Sequence, residues 1–368
     1  MSLRVLVSGM ACNDPWQGGA TWAVMQYVLG LRALGHDVWF IEPAGEEIDR
    51  RYVREALRTF ELEDRAAFLL AGSQRTLGVP YDRLRSQSFD AHLNVSGMLR
   101  DGNLVDRIPV RIYLDLDPAF NQIWHDVERI DMRLDGHTHF VSVGQSIGSP
   151  GCRVPTCGVS WIPALPPVHL GSWPRAVGGE GDYTTVGHWR SYGSVMAEGW
   201  QLGQRAHSMR ELLALPARVR PRLTVALAID PGEATDLDAL GRHGWRLLDP
   251  AVAAGTPSRY RSFIQSSRAE ISIAKSGYVT SRCGWFSDRS ACYLSSGRPV
   301  VAQDTGLNGA LPTGRGLLLF RGLDEAVRAI EDIESDYVGH AEAARELAVE
   351  HLDARRVLQT LLKRVGLA

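Results

Sequence analysis

The first forty residues constrain the fold more than any other stretch. Arg4-Val5-Leu6-Val7-Ser8-Gly9 is a short apolar run, the pattern of a strand covered on both faces. The loop ACNDPWQGG follows and ends in Gly18-Gly19. Trp22, Met25, Val28, Leu29 and Leu34 then recur near the helical repeat, and Gly35 is a helix stop. His36-Asp37 leads into a second apolar run, Val38-Trp39-Phe40-Ile41. Strand, glycine-rich loop, helix and parallel strand make a βαβ unit, which points to an α/β fold.

The same alternation continues through apolar runs at Ala91–Val95, Val110–Leu114 and His139–Val143. It is interrupted by PALPPVHLGSWP, from Pro163 to Pro174, and soon after by Gly178-Gly179-Glu180-Gly181. Prolines and glycines at that density break regular structure. A second series follows at Tyr183–Val186, Leu223–Leu227, Trp245–Leu248, Glu270–Ile273 and Pro299–Ala302. A chain of 368 residues is long for one core. The expected organisation is a Rossmann-like domain over 1–165 and a linker over 166–182. A second Rossmann-like domain over 183–335 follows, and a helical segment over 336–368 packs back on the first domain. Two such halves enclose a cleft, where ligands bind.

Bulk properties narrow the function. A formal net charge of -2 gives no general attraction for nucleic acid or an anionic membrane. No apolar run approaches the ~20 residues of a membrane span. The five cysteines have no CxxC pair and no metal-ligand spacing, which reads as free thiols in a reducing compartment. The chain enters a strand at once, without a signal-peptide pattern, so a cytoplasmic location is expected. Oligomeric state is left open. Of the 40 Lys and Arg, only Lys275 and Lys363 are lysines.

Several short stretches carry candidate chemistry. Gly18-Gly19 either admits a ligand to a helix N-terminus or serves a loop that needs positive φ. Asp14 and Trp16 in that loop either touch a sugar or cap and cover it. Asp115 and Asp117, in YLDLDPAFNQIW, close a strand. They serve as general base or sugar-hydroxyl acceptors, or as a turn and a solvated strand end. In GHWRSYGS, Arg190 offers a forked guanidinium to phosphate, or is one surface arginine of many. Lys275 ends another strand in AEISIAKSGY and is either a point charge for a diphosphate or an exposed loop lysine.

The densest stretch is SRCGWFSDRSACYLSSGRPVVAQDTG, from Ser281 to Gly306. Ser287 has N-cap chemistry for a helix starting at Asp288. Gly284 and Trp285 precede it, so backbone N–H groups and a positive dipole end are offered to an anion. Gln303-Asp304-Thr305-Gly306 is a further loop at the end of a strand.

These residues resemble the glycosyltransferases built from two Rossmann domains, the GT-B type. The stretch CGWFSDRSACYLSSGRPVVAQDTG is similar to the donor box of nucleotide-sugar transferases, and looks closest to a bacterial branch with a Gly-Trp-Phe-Ser-Asp-Arg-Ser signature. The resemblance implies that 1–165 is the acceptor domain and 183–335 the nucleotide-sugar donor domain, and that Gly284, Trp285 and Ser287 sit over the donor diphosphate or nucleoside. It implies that Asp304, Thr305 and Gly306 lie near the transferred sugar, and that Arg190 and Lys275 neutralise the leaving diphosphate. Where related enzymes carry a ribose-binding acid, this chain has Cys292, so Glu270 or Asp288 are the acidic alternatives.

The expected activity is metal-independent transfer of a hexosyl group from a nucleotide diphosphate sugar to a small-molecule or glycan acceptor, without a cofactor. Positive charge then develops at C1 and negative charge on the diphosphate, which cations and N–H groups must stabilise. For inversion, Asp14 or Asp117 would take the acceptor proton; for retention, the leaving phosphate accepts it. Trp16 and Asp115 are placed in the acceptor site. The rival readings are a sugar-nucleotide epimerase or phosphorylase of the same fold, or a non-catalytic nucleotide-sugar-binding protein.

Overall fold

A computed structural model of the chain describes residues 2–70, 74–197 and 199–367. Its first sheet has eight strands: β1 (Arg4–Ser8), β2 (Asp37–Ala44), β3 (Ala66–Leu70), β4 (Thr76–Gly78), β5 (Ala91–Val95), β6 (Val110–Asp115), β7 (His139–Ser142) and β8 (Trp161–Pro163). They lie in the order β4-β3-β2-β1-β5-β6-β7-β8, and all pairs are parallel except β3 with the edge strand β4. Burial of β3 and β5 at every position explains why they read as continuous apolar runs.

The second half holds β9 (Tyr183–His188), a small hairpin of β10 (Val195–Ala197) and β11 (Trp200–Leu202), then β12 (Leu223–Ala228), β13 (Arg246–Leu248), β14 (Ala269–Ser272), β15 (Val300–Gln303) and β16 (Leu317–Phe320). The six-stranded parallel sheet runs β13-β12-β9-β14-β15-β16.

In each sheet the chain starts in the middle, builds outward on one side, and then crosses to the other. The order reverses between β1 and β5 in the first sheet, and between β9 and β14 in the second. Such switch points leave a crevice beyond the carboxyl ends of the strands.

The two halves share one apolar core. Trp22, on the helix Gly18–Ala33, donates its indole N–H to the Pro257 carbonyl at 2.9 Å, across the domain boundary. The irregular segment after β8 is no free hinge. Trp173 in it is 0% exposed and packs edge-on to Trp22 at 5.0 Å and Tyr260 at 6.1 Å. Truncating a buried tryptophan of this kind to alanine costs ~3–5 kcal/mol.

The C-terminal helix Ala354–Arg364 returns to the first domain. There Gly30 lets it approach: a Cβ on Gly30 would lie 2.7 Å from the Ala354 Cβ. The five cysteines are free. Among the described residues, no helix is long and apolar enough to cross a membrane.

Candidate functional site

A cleft of about 830 Å³ lies between the two sheets, and both switch points open into it. The first domain contributes the loop after β1 and Val95 and Ser96 after β5; the second contributes Gly187 and His188 of β9 and Lys275 after β14. Of the expected site residues, Trp16, Gly18, Gly19, Asp117, Lys275, Trp285, Ser287 and Asp288 line this one cleft.

The floor on the second domain is cationic. Arg205, on the helix Arg205–Glu211, is 7% exposed. Its Nε donates to the Ile273 carbonyl and its Nη1 to the His188 carbonyl, both at 2.9 Å. Gly187 permits this, because a Cβ there would lie 2.2 Å from Nη1. Among the described residues Arg205 has no carboxylate partner. Burial first, and then the charge of Arg289, push its pKa down to about 9, so it remains charged at neutral pH. Arg289 is neutralised instead by Glu270, with Nε 2.5 Å from Oε1.

The helix Asp288–Ser295 points its N-terminus at the same floor. Ser287 caps it, its Oγ accepting from the Arg289 amide at 3.2 Å. Asp288 faces the cleft, and burial raises its pKa. Trp285 stacks on Tyr278 at 4.6 Å and forms the neighbouring wall.

Lys275 is placed differently from a free diphosphate ligand. Its Nζ donates to Asp117 of the first domain at 3.0 and 3.2 Å. The hydroxyls of Tyr192 and Tyr278 also donate to Asp117. The ammonium lies 4.2 Å from the Tyr192 ring centre, 4.9 Å from Phe120 and 5.3 Å from Tyr278, a cation–π enclosure. Burial lowers its pKa and the Asp117 charge opposes that shift.

Other expected ligand contacts are engaged elsewhere. Arg190 pairs with Glu233 and does not line the cleft. Asp14 is exposed and does not line the cleft either. Asp115 is fully buried and accepts from Asn121, Gln122 and Ser142 at 2.7–2.8 Å, which ties β6 to β7 and the following helix. It is therefore committed to the strand end and does not line the cleft.

Gly284 has φ +74, and a Cβ on it would lie 2.8 Å from the Ser146 Oγ. Its own backbone is paired within the protein: its amide donates to the Thr305 carbonyl at 2.8 Å and Gln145 N donates to its carbonyl at 3.1 Å, while Gly144 bridges Trp285. Asp304 accepts from the Gly306 amide at 2.9 Å and from Arg321 at 3.1 Å. Thr305 Oγ1 donates to the Trp285 carbonyl at 2.6 Å, and Gly306 offers its carbonyl to Ser146 Oγ at 2.7 Å. None of Gly284, Asp304, Thr305 and Gly306 lines the cleft. Together they brace the Trp285 turn against the first domain.

Gly18 and Gly19 do line it, but neither has positive φ. Their hydrogens admit the second domain: a Cβ would lie 2.4 Å from the Thr256 carbonyl oxygen at Gly18, and 2.8 Å from the Tyr260 ring at Gly19. His188, Arg205, Tyr192 and Tyr278 are cleft residues that the motifs did not single out. His188 and Tyr192 stand in GHWRSYGS beside the arginine chosen there. Arg205 carries no local signal.

No family model matches the chain, and no curated protein matches it in sequence. Solved structures do match in shape. HepE of Anabaena in complex with UDP and glucose has a TM-score of 0.60 and 13% identity, over 99% of both chains. An alpha-glucosyltransferase in complex with UDP-glucose and abasic-site DNA has a TM-score of 0.62 and 10% identity, over 99% of this chain and 100% of that one. This chain has the GT-B fold. AviGT4, a glycosyltransferase involved in avilamycin A biosynthesis, shares the GT-B fold with a TM-score of 0.57 at 14% identity, over 99% of this chain and 97% of that one. The crevice between the two sheets is thus the interdomain cleft of a GT-B protein.

Proposed function

We propose that this protein is a glycosyltransferase that takes a sugar from a nucleotide diphosphate sugar. The observation that carries the reading is Arg205: a buried, charged guanidinium without a carboxylate partner among the described residues, at a switch point, beside the N-terminus of the helix Asp288–Ser295. Such a floor suits the charge that develops on a leaving diphosphate. Solved GT-B relatives in shape hold UDP or UDP-glucose, which supports the same reading. The net charge of -2 argues for a small acceptor rather than nucleic acid.

The acceptor hydroxyl attacks C1, the bond from C1 to the phosphate oxygen breaks, and the nucleoside diphosphate leaves with the electron pair. Asp117 is engaged by Lys275 and two tyrosines, and Asp14 lies outside the cleft, so neither is free to take the proton. The reading assigns the proton to the leaving phosphate, with retention at C1. No metal has a part in this account, because Arg205 and the helix N-terminus supply the stabilising charge.

The test is release of nucleoside diphosphate from UDP-, GDP-, dTDP- and ADP-glucose with acceptor mixtures, read against an Arg205→Ala variant. Acceptor-dependent release lost in the variant supports the proposal. Sugar isomerisation without acceptor would make the protein an epimerase, and binding without turnover would make it a binding protein.

A further inference from the structure

The first-domain side of the cleft is continuous with the donor floor but differs from it in chemistry. Met10, Trp16, Val24, Met98, Leu116 and Trp124 form it. Met10 is 43% exposed and continues this apolar wall at the cleft. The polar groups on this side are few. Asn121 Nδ2 is already given to Asp115 at 2.7 Å, and Asp117 is held by Lys275 and two tyrosines. Gln17 and Ser96 remain on the first domain, with the indole N–H groups of Trp16 and Trp124 and the Asn121 Oδ1.

A glycan acceptor carries several hydroxyls per ring, and each must find a partner when it is taken from water. The few polar groups on this wall cannot satisfy all of them. Methionines and tryptophans instead suit a flat ring system, through thioether–aromatic contact and stacking. Resting on the glycosyltransferase reading, we infer that the acceptor is an apolar, hydroxyl-bearing aromatic small molecule, not a glycan. Its hydroxyl oxygen bonds to C1 of the sugar while its rings lie on Met10, Met98 and Trp124. The hydroxyl proton leaves with the nucleoside diphosphate.

The probes are 4-methylumbelliferone and maltose. Binding of the coumarin is followed by its fluorescence without nucleotide, and transfer to each probe is followed separately with the donor that the nucleotide-sugar screen selects. Failure of that screen concerns the donor reading alone, since the coumarin titration needs no nucleotide. Expected are saturable coumarin binding and an affinity about tenfold lower in both Met10→Asp and Met98→Asp, the size of a lost apolar contact. Met10 is exposed enough that its variant keeps the fold, as circular dichroism will show. No saturable coumarin binding, binding unchanged in both variants, or transfer to maltose as fast as to the coumarin would overturn the inference.

Discussion

Lys275 Nζ lies 3.0 Å from Asp117 Oδ2, a charge pair that joins the two domains across the cleft. Both side chains are largely shielded from water, and the ammonium also faces three aromatic rings. Removing one member of such a pair strands the other charge in a poorly solvated site. Lys275→Met is expected to destabilise the protein by about 3 kcal/mol, and adding Asp117→Leu to recover most of that. Urea denaturation of the two variants measures it; a loss below about 1 kcal/mol would mean that the pair is well solvated.

Glu42 is fully buried, and its carboxylate accepts backbone N–H bonds from Ala11, Cys12 and Asn13 at 2.7–3.1 Å. It thereby holds the loop that carries Trp16 and Gly18. Burial outweighs those bonds and raises its pKa from 4.5 to about 7. The folded state thus binds the proton more tightly than the unfolded one. This contribution to stability is fully present below the unfolded pKa and is lost as pH rises through 7. The stability of the native protein minus that of Glu42→Gln should fall from about pH 5 to about pH 7, by on the order of 2 kcal/mol. A flat or rising difference in thermal unfolding across that range would contradict the assignment.

Gly284→Ala places a methyl 2.8 Å from Ser146 Oγ and 2.9 Å from its amide nitrogen, in a left-handed backbone. The conformation alone costs ~1–2 kcal/mol for a residue with a Cβ, and the contact adds to it. A fall in Tm of several degrees is expected, because the glycine serves a domain junction. Unaltered stability with loss of nucleotide affinity would instead show that it serves a ligand.

Asp14→Asn should leave kcat within about threefold of the native value, since loss of a general base costs roughly 10²–10⁴. Chelator should leave the same rate intact. NMR of the first-formed product should show retention at C1. A drop of a hundredfold or more in Asp14→Asn would return the proton to a side chain and point to inversion.

The two apolar series and the break between them were legible because strands buried on both faces need continuous apolar runs. The cap at Ser287 and the strand-end position of Lys275 were legible for the same local reasons. What each glycine admits was not. Gly18 meets Thr256 and Gly284 meets Ser146, and pairs so distant in sequence leave the same local signature as a ligand does. Arg205 is not legible because, in a chain whose cations are nearly all arginine, no arginine stands out. Only the three-dimensional arrangement shows that Glu233 neutralises Arg190 while, among the described residues, backbone carbonyls hold Arg205.

That contrast supplies the most direct test. Isothermal titration of UDP, GDP, dTDP and ADP into the native protein, Arg205→Gln and Arg190→Gln compares the two arginines. One nucleoside diphosphate should bind the native protein, its affinity falling by roughly 10-fold to 100-fold in Arg205→Gln, as for a lost charged hydrogen bond. Arg190→Gln should bind as the native protein does. Equal affinity in native protein and Arg205→Gln, or selective loss in Arg190→Gln, would contradict the placement of the diphosphate on the floor of this cleft.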